Sequence, residues 1–378
     1  MKIAIKKKKL VIATDAFLPR IDGIGRFLLE IIPRIENDYD ITIIAPNFKG
    51  EFNFKFKSNI IRCNLINFQL ADTYFSYVKY KKIKNVIKEA DLVFIQTIGP
   101  IGIKSIKIAK KYKKPIIAFI HILEWELIPN SLKRFKLIGK IVAKYFAKKY
   151  YNKCDLLIFP SEEMMYKFEK NSIKTNNTII NLGTDTEKFK PILDKKKAKE
   201  KININSNQTI IGYHGRIGRE KNLITLYRAF RKLEKKYNNI KLLIVGSGVK
   251  DQENIFSSNR NIILTGKKED VIPYLQAMDI YVLPSLTETS SLSTMEAMSC
   301  GLAVITTPVG YVKEYINEKE NGMFFPFKNS TRLYMKLDLL IQDLALRKRL
   351  GKNARKTIIE KFNWDNTYSK IKNTINSF

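Results

Sequence analysis

Short apolar runs, many rich in Ile and Val, recur along the chain and are separated by longer segments that mix apolar and charged positions. In the first half they are Leu10–Ala13, Ile41–Ala45, Leu92–Ile95, Ile116–Ile120 and Leu156–Phe159. In the second half they are Ile210–Tyr213, Leu242–Val245, Ile262–Leu264, Ile280–Leu283 and Ala303–Ile305. Continuous runs of this kind predict strands buried on both faces, which is the habit of parallel sheets. The amphipathic segments between them predict covering helices. Two such sets predict an α/β chain of two doubly wound domains. The stretch Asp185 to Gln208 is polar and charged, carries Pro191 and Lys195-Lys196-Lys197, and reads as the linker region.

At 378 residues the chain is long enough for two full cores. No apolar run reaches the length of a membrane span. The basic start, Met1 to Lys9, lacks the apolar stretch and cleavage site of a signal peptide. Three widely spaced cysteines, Cys63, Cys154 and Cys300, predict reduced thiols in a cytoplasmic protein, with no disulfide frame and no zinc site. The formal charge of +32 predicts attraction to polyanions, either nucleic acid or an anionic membrane surface. The excess is spread over both halves, +18 in residues 1–190 and +14 beyond, so a solvated basic surface also accounts for it.

The densest chemistry lies in Pro284-Ser285-Leu286-Thr287-Glu288-Thr289-Ser290-Ser291-Leu292-Ser293-Thr294-Met295-Glu296. A strand ends at Pro284, a hydroxyl-rich loop follows, and a helix is expected from about Ser293. Glu288 and Glu296 thus fall at the carboxyl end of a strand and the start of a helix, where open α/β sheets bind ligands. Carboxylates accept hydrogen bonds from sugar hydroxyls. A helix N-terminus favours an anion such as a diphosphate. Together these describe a nucleotide sugar.

A second constellation is Gly212-Tyr213-His214-Gly215-Arg216-Ile217-Gly218-Arg219-Glu220-Lys221-Asn222, a strand running into a glycine turn. Arg216 and Lys221 suit one diphosphate, a forked guanidinium beside a point-charge ammonium. His214 is read as structural. In the first half, Asp22-Gly23-Ile24-Gly25-Arg26 is a glycine turn ahead of a helix expected near Arg26, and His121 follows the strand Ile116–Ile120. A neutral imidazole there can donate to a sugar hydroxyl or a backbone carbonyl. Glu124, Trp125 and Glu126 follow it as candidates to shape the acceptor site, with no motif that assigns them a role.

These elements resemble the retaining glycosyltransferases of family four. Glu288 and Glu296 resemble the family's E-x7-E motif, and Gly215-Arg216 with Glu220-Lys221-Asn222 resembles its G-R-x-x-x-E-K-N element. Val245-Gly246-Ser247-Gly248 resembles the turn before the base pocket, and Leu264-Thr265-Gly266-Lys267 the loop whose backbone touches the base. Asn181 to Phe189 resembles the domain-junction segment, and Phe362 to Asp365 with the helix after it resembles the last helix, which crosses back to the first domain. Ser291 departs from the glycine common between the two glutamates, and Leu182-Gly183 from a usual Gly-Val.

The resemblance implies the GT-B fold, two Rossmann-like domains facing a central cleft. Residues 1–184, with a helix over 362–378, would form the acceptor-side domain, and residues 185–361 the donor-binding domain. It implies transfer of a hexose from a UDP- or GDP-linked sugar to a hydroxyl acceptor, with retention and no metal or other cofactor. Arg216 and Lys221 would hold the diphosphate, Glu288 the sugar and Glu296 the ribose. His121 would bind the sugar or fix the reactive geometry. Gly23, Gly25, Gly215, Gly246, Gly266, Lys267, Ser290, Ser291 and Leu292 would line the donor site. A membrane lipid is the leading acceptor, with a soluble glycan or polysaccharide next. A GT-B epimerase and a basic nucleic-acid-binding protein are the alternatives, although no nucleic-acid-recognition motif is present and the paired glutamates would go unexplained.

One segment lies outside these motifs. Ser131 to Lys153 is helix-like, with eight basic residues and no acidic ones. Lys136, Lys140, Lys144 and Lys148 form one stripe, and Phe135, Ile138, Val142 and Tyr145 another. The pattern fits an interfacial helix on anionic lipid, on the cytoplasmic face of a membrane. It equally fits a domain helix with its apolar face buried.

Overall fold

The computed structural model describes residues 7–20, 22–51, 54–70, 73–132, 134–257 and 259–378. The chain divides into two units, residues 1–181 with 367–378, and residues 182–366.

In the first unit the strands are β1 (Lys8–Ala13), β2 (Tyr39–Pro46), β3 (Asn59–Cys63), β4 (Leu65–Leu70), β5 (Thr73–Ser76), β6 (Leu92–Ile95), β7 (Ile116–Phe119), β8 (Leu156–Phe159) and β9 (Asn177–Ile179). Seven of them form one parallel sheet in the order β3-β2-β1-β6-β7-β8-β9, while β4 and β5 pair separately and antiparallel. Strands β6 and β7 are wholly buried apolar runs, as two-sided cover requires. The order reverses between β1 and β6, so a ligand crevice is expected outside their carboxyl ends.

The second unit repeats the plan with β10 (Thr209–His214), β11 (Ile240–Val245), β12 (Ile262–Leu264), β13 (Ile280–Leu283), β14 (Ala303–Thr306) and β15 (Met323–Phe324), all parallel, in the order β12-β11-β10-β13-β14-β15. Its reversal lies between β10 and β13. Each unit has its own apolar core.

Two expectations about segments are corrected here. Residues 185–208 are not a free linker. The helix Lys195–Lys201 lies within this stretch, and its Lys199 is buried with Nζ 2.8 Å from Asp279. Lysine stems can bury apolar length once the ammonium finds a partner, so a charged stretch need not be solvated. The segment 131–153 is not one helix. Helices Glu124–Ser131 and Lys136–Tyr151 pack on each other, and Phe135 at the break has φ 58°. Lys133 lies outside the described residues, as do Ile21 of the first loop and the basic Met1–Lys6.

The final helix, Trp364–Asn376, enters the first unit from Thr367 onward. Asp38 accepts from Tyr368 Oη at 2.6 Å and Lys372 Nζ at 2.8 Å, and Tyr39 Oη donates to Asn376 at 2.7 Å. These bonds lower the pKa of Asp38 from its ordinary value.

Candidate functional site

The richest cluster sits in the second unit, on the loops that follow β10 and β13, at the reversal of strand order. The loops after β10 and β11 need unusual backbone. Gly215 turns the chain out of β10 at φ 144°, its N–H bonded to Val245 O at 3.0 Å. Gly246 takes φ 139° after β11, and a Cβ there would lie 2.0 Å from Gly215 O. Its N–H meets Gly266 O at 3.1 Å. The fold thus brings Gly215, Gly246 and Gly266 together from three strand ends, leaving backbone rather than side chains at the rim. Lys267 beside them is exposed.

The two loops are tied by Leu286 N–H to Glu220 O at 2.8 Å and by Asn222 Nδ2 to Pro284 O at 3.2 Å. This tie places the charged side chains. Lys221 Nζ lies 2.6 Å from Glu288 Oε1, and Ser285 Oγ donates to the same oxygen at 2.7 Å. Arg216 pairs with Glu220 at 2.6 Å and keeps half its side chain in solvent. Glu296, on the helix Leu292–Ser299, is buried with Oε2 2.5 Å from His214 Nε2. Each glutamate of the pair is therefore met by a nitrogen base from the end of β10 or the loop after it. That arrangement can present carboxylate oxygens to hydroxyls and ammonium and guanidinium groups to a phosphate.

Ser290 and Ser291 are buried at the start of that helix, with Leu292 partly buried as its first residue. Ser291 adopts φ 49°, a left-handed conformation that costs a non-glycine residue roughly 1–2 kcal/mol. Its hydroxyl pairs with Thr294 Oγ1 at 2.8 Å, an interaction a glycine lacks.

In the first unit, His121 follows β7 and is half-buried against aromatic rings, its centroid 4.8 Å from both Phe27 and Phe119. Burial pushes its pKa down to about 3, so the imidazole is neutral. Nε2 lies 2.9 Å from Gln96 Oε1. With the Gln96 amide oxygen turned to the ring, it accepts from Nε2–H and leaves Nδ1 as an acceptor. Gln96 Nε2 is buried without a partner among the described residues.

Gly23 and Gly25 are not in a loop before Arg26. The helix begins at Gly23, and Asp22 caps it by accepting from Gly25 N–H at 2.8 Å. A short acid at the N-cap is the local start signal that outweighed the two glycines. Asp15 closes the other side: Thr97 Oγ1 and the N–H groups of Ile101 and Gly102 all donate to it.

Glu124, Trp125 and Glu126 all have partners within the first unit. Trp125 packs on Phe168, and Glu126 pairs with Lys167 at 3.4 Å. Glu124 is buried and accepts from Tyr151 Oη at 2.5 Å, and burial pushes its pKa up to about 7.

Sequence reasoning missed three residues that touch the candidate residues: His214, Ser285 and Gln96. All three stand at or just past the carboxyl end of a strand, which was the available signal. His214, read as structural, is the partner of Glu296. Among the described residues, no group of three or more His, Cys, Asp or Glu stands together so as to hold a metal. No helix there is long and apolar enough to cross a membrane.

Residues 21–188 match the model of Glycosyltransferase Family 4, and residues 194–357 that of Glycosyl transferases group 1. Alpha-monoglucosyldiacylglycerol synthase of Streptococcus pneumoniae is 24% identical over 82% of this chain and 74% of its own length. The enzyme of the same name from Acholeplasma laidlawii is 25% identical over 92% of this chain and 91% of its own. The crystal structure of Anabaena HepE in complex with UDP and glucose superposes with a TM-score of 0.77, covering 99% of this chain and 100% of that one at 17% identity. The fold is GT-B.

Proposed function

The chain belongs to the family 4, group 1 glycosyltransferases, and on that premise we propose that it moves a hexose, with retention and without a metal, from a UDP- or GDP-linked donor to the hydroxyl of a membrane lipid. The observation that carries the donor half is the pairing of Glu288 with Lys221 and of Glu296 with His214 at the carboxyl ends of β10 and β13. Arg216 and Lys221 neutralise the departing diphosphate, the electrostatic task that dominates such transfers. Glu288 keeps Oε2 for a sugar hydroxyl while Lys221 and Ser285 hold Oε1. Glu296 receives the ribose hydroxyls. His121 accepts a hydroxyl at Nδ1, and the leaving phosphate takes the acceptor's proton.

Support for a lipid acceptor comes from the two glucolipid synthases among the relatives and from the basic surface. Support for a uridine donor comes from the UDP bound by HepE. Work at the cytoplasmic face of an anionic membrane follows from this reading.

The test offers radiolabelled UDP-glucose, UDP-galactose, UDP-N-acetylglucosamine and GDP-mannose to the protein with diacylglycerol-containing vesicles or with soluble glycans. Label in the organic phase, with an α-anomeric proton by NMR from an α-linked donor, is the expected result. Label confined to an aqueous glycan would move the acceptor to the soluble class. Free sugar released without any acceptor would point to an epimerase.

A further inference from the structure

The helix Lys136–Tyr151 buries side chains only from its middle onward. Its buried residues are Ala143, Ala147, Tyr150 and Tyr151. The first half rests on the helix before it, with Gly139 set against Leu132. The apolar side chains there are not buried. Phe135, Leu137, Ile138, Ile141, Val142 and Tyr145 are between 48% and 74% exposed. At 3.6 residues per turn the five helical ones cover nearly half the circumference, opposite Ala143 and Ala147. Lys136, Lys140 and Lys144 form a stripe that drifts from the opposite side to one flank, and Lys148, Lys149 and Lys153 follow at the anchored end.

We infer that this helix, with the break before it, is the surface by which the protein sits in an anionic bilayer, its outward apolar face inserted at the acyl boundary and its lysines on the headgroups. The inference rests on the lipid-acceptor reading above and names the partner of that reaction. Six large apolar side chains in one patch are more than a monomer normally leaves in water. Charge complementarity selects the occupant. Residues 131–153 carry eight basic side chains and no acid, so two copies meeting face to face would set like charges together. A nucleic acid would take the lysines and leave the apolar face wet. Only a surface with acyl chains beneath anionic headgroups satisfies both, with the lysine stems lying along the apolar layer.

The full chain is tested on phosphatidylglycerol vesicles, with pure phosphatidylcholine vesicles as the neutral control. Cys63, Cys154 and Cys300 are all buried, so an Ile141→Cys variant takes a thiol-reactive nitrobenzoxadiazole dye at one site. Its emission should rise and shift to the blue on anionic vesicles, while the same dye on Lys235→Cys stays unchanged. Lys140→Gln and Lys144→Gln should each weaken binding about fivefold, from the pull of an anionic leaflet on one basic residue. Leu137→Ser with Ile141→Ser should weaken it at least about tenfold without lowering the melting temperature, since both positions are exposed.

A dye at Ile141 that stays in water on vesicle-bound protein overturns the inference. So do variants that bind like the parent, apolar variants that change only a dimer equilibrium, and a preference for RNA over vesicles. Transfer to detergent-dispersed lipid separates the two readings. If it proceeds while the variants leave vesicle binding intact, the surface is wrong and the acceptor reading stands. If the dye inserts but no lipid is labelled, the acceptor reading falls and the surface stands.

Discussion

His214 Nε2 lies 2.5 Å from Glu296 Oε2, and both side chains are buried. The contact joins the end of β10 to the helix that begins at Leu292, and it orients the carboxylate proposed for the ribose. A hydrogen bond to a charged group contributes about 2 kcal/mol, and a carboxylate left without its partner must find another orientation.

His214→Ala should therefore weaken binding of the nucleoside diphosphate roughly tenfold, with Glu296→Gln weakening it at least as much. Glu288→Gln, placed at the sugar, should chiefly lower turnover. Calorimetry with UDP and GDP reads the first two effects, and steady-state rates at saturating donor read the third. Unchanged nucleotide affinity in Glu296→Gln would remove the ribose role.

Lys221 and Arg216 should separate in stability although both serve the diphosphate. The Lys221 ammonium meets Glu288, whose side chain is 9% exposed, whereas the Arg216 side chain is 55% exposed. Lys221→Ala leaves a mostly buried carboxylate without its cation and should cost about 3 kcal/mol of stability. Arg216→Ala should leave the stability of the fold nearly untouched. Both should lose at least about 2 kcal/mol of transition-state stabilisation. Denaturant melts and turnover at saturating donor, measured on the same preparations, check the split. Near-normal turnover in both variants would take these residues out of the mechanism.

Glu124 makes the fold sensitive to pH. Burial raises its pKa from an ordinary 4.5 to about 7, so the folded chain holds this proton more tightly than the unfolded one. Its contribution is full below pH 4.5 and is lost as pH rises through about 7. Glu124→Gln stays neutral and still accepts the Tyr151 hydroxyl. Relative to that variant, the parent should lose on the order of 3 kcal/mol between acid pH and about pH 8. Urea melts across this range would show it, and parallel curves for the two proteins would contradict it.

Chelation should leave the transfer rate unchanged, because Arg216 and Lys221 are proposed to carry the charge that a divalent ion supplies elsewhere. The rate is compared in excess chelator with and without added magnesium or manganese. Recovery only on adding metal would overturn the proposed mechanism.

The ten apolar runs read from the chain fall on strands; nine are inner strands, which must be apolar along their length when both faces are covered, and the tenth is the edge strand β12, apolar although only partly buried. Edge strands β3, β9 and β15 and the β4–β5 pair were not legible, since one-sided or short strands carry mixed residues. Gly215, Gly246, Glu288 and Glu296 could be picked out because turns and acids announce themselves locally. That Glu288 meets Lys221 and Glu296 meets His214 was decided only by tertiary structure, since each pair spans a crossover from β10 to β13 and pairing at that distance leaves no local pattern. The same holds for the helix Lys136–Tyr151. Its sequence contains an apolar face and a basic face, but helical spacing is the same whether the apolar face is buried or wet. Packing alone decided the matter, by seating the helix on Ala143, Ala147, Tyr150 and Tyr151 and leaving Leu137, Ile138 and Ile141 outside.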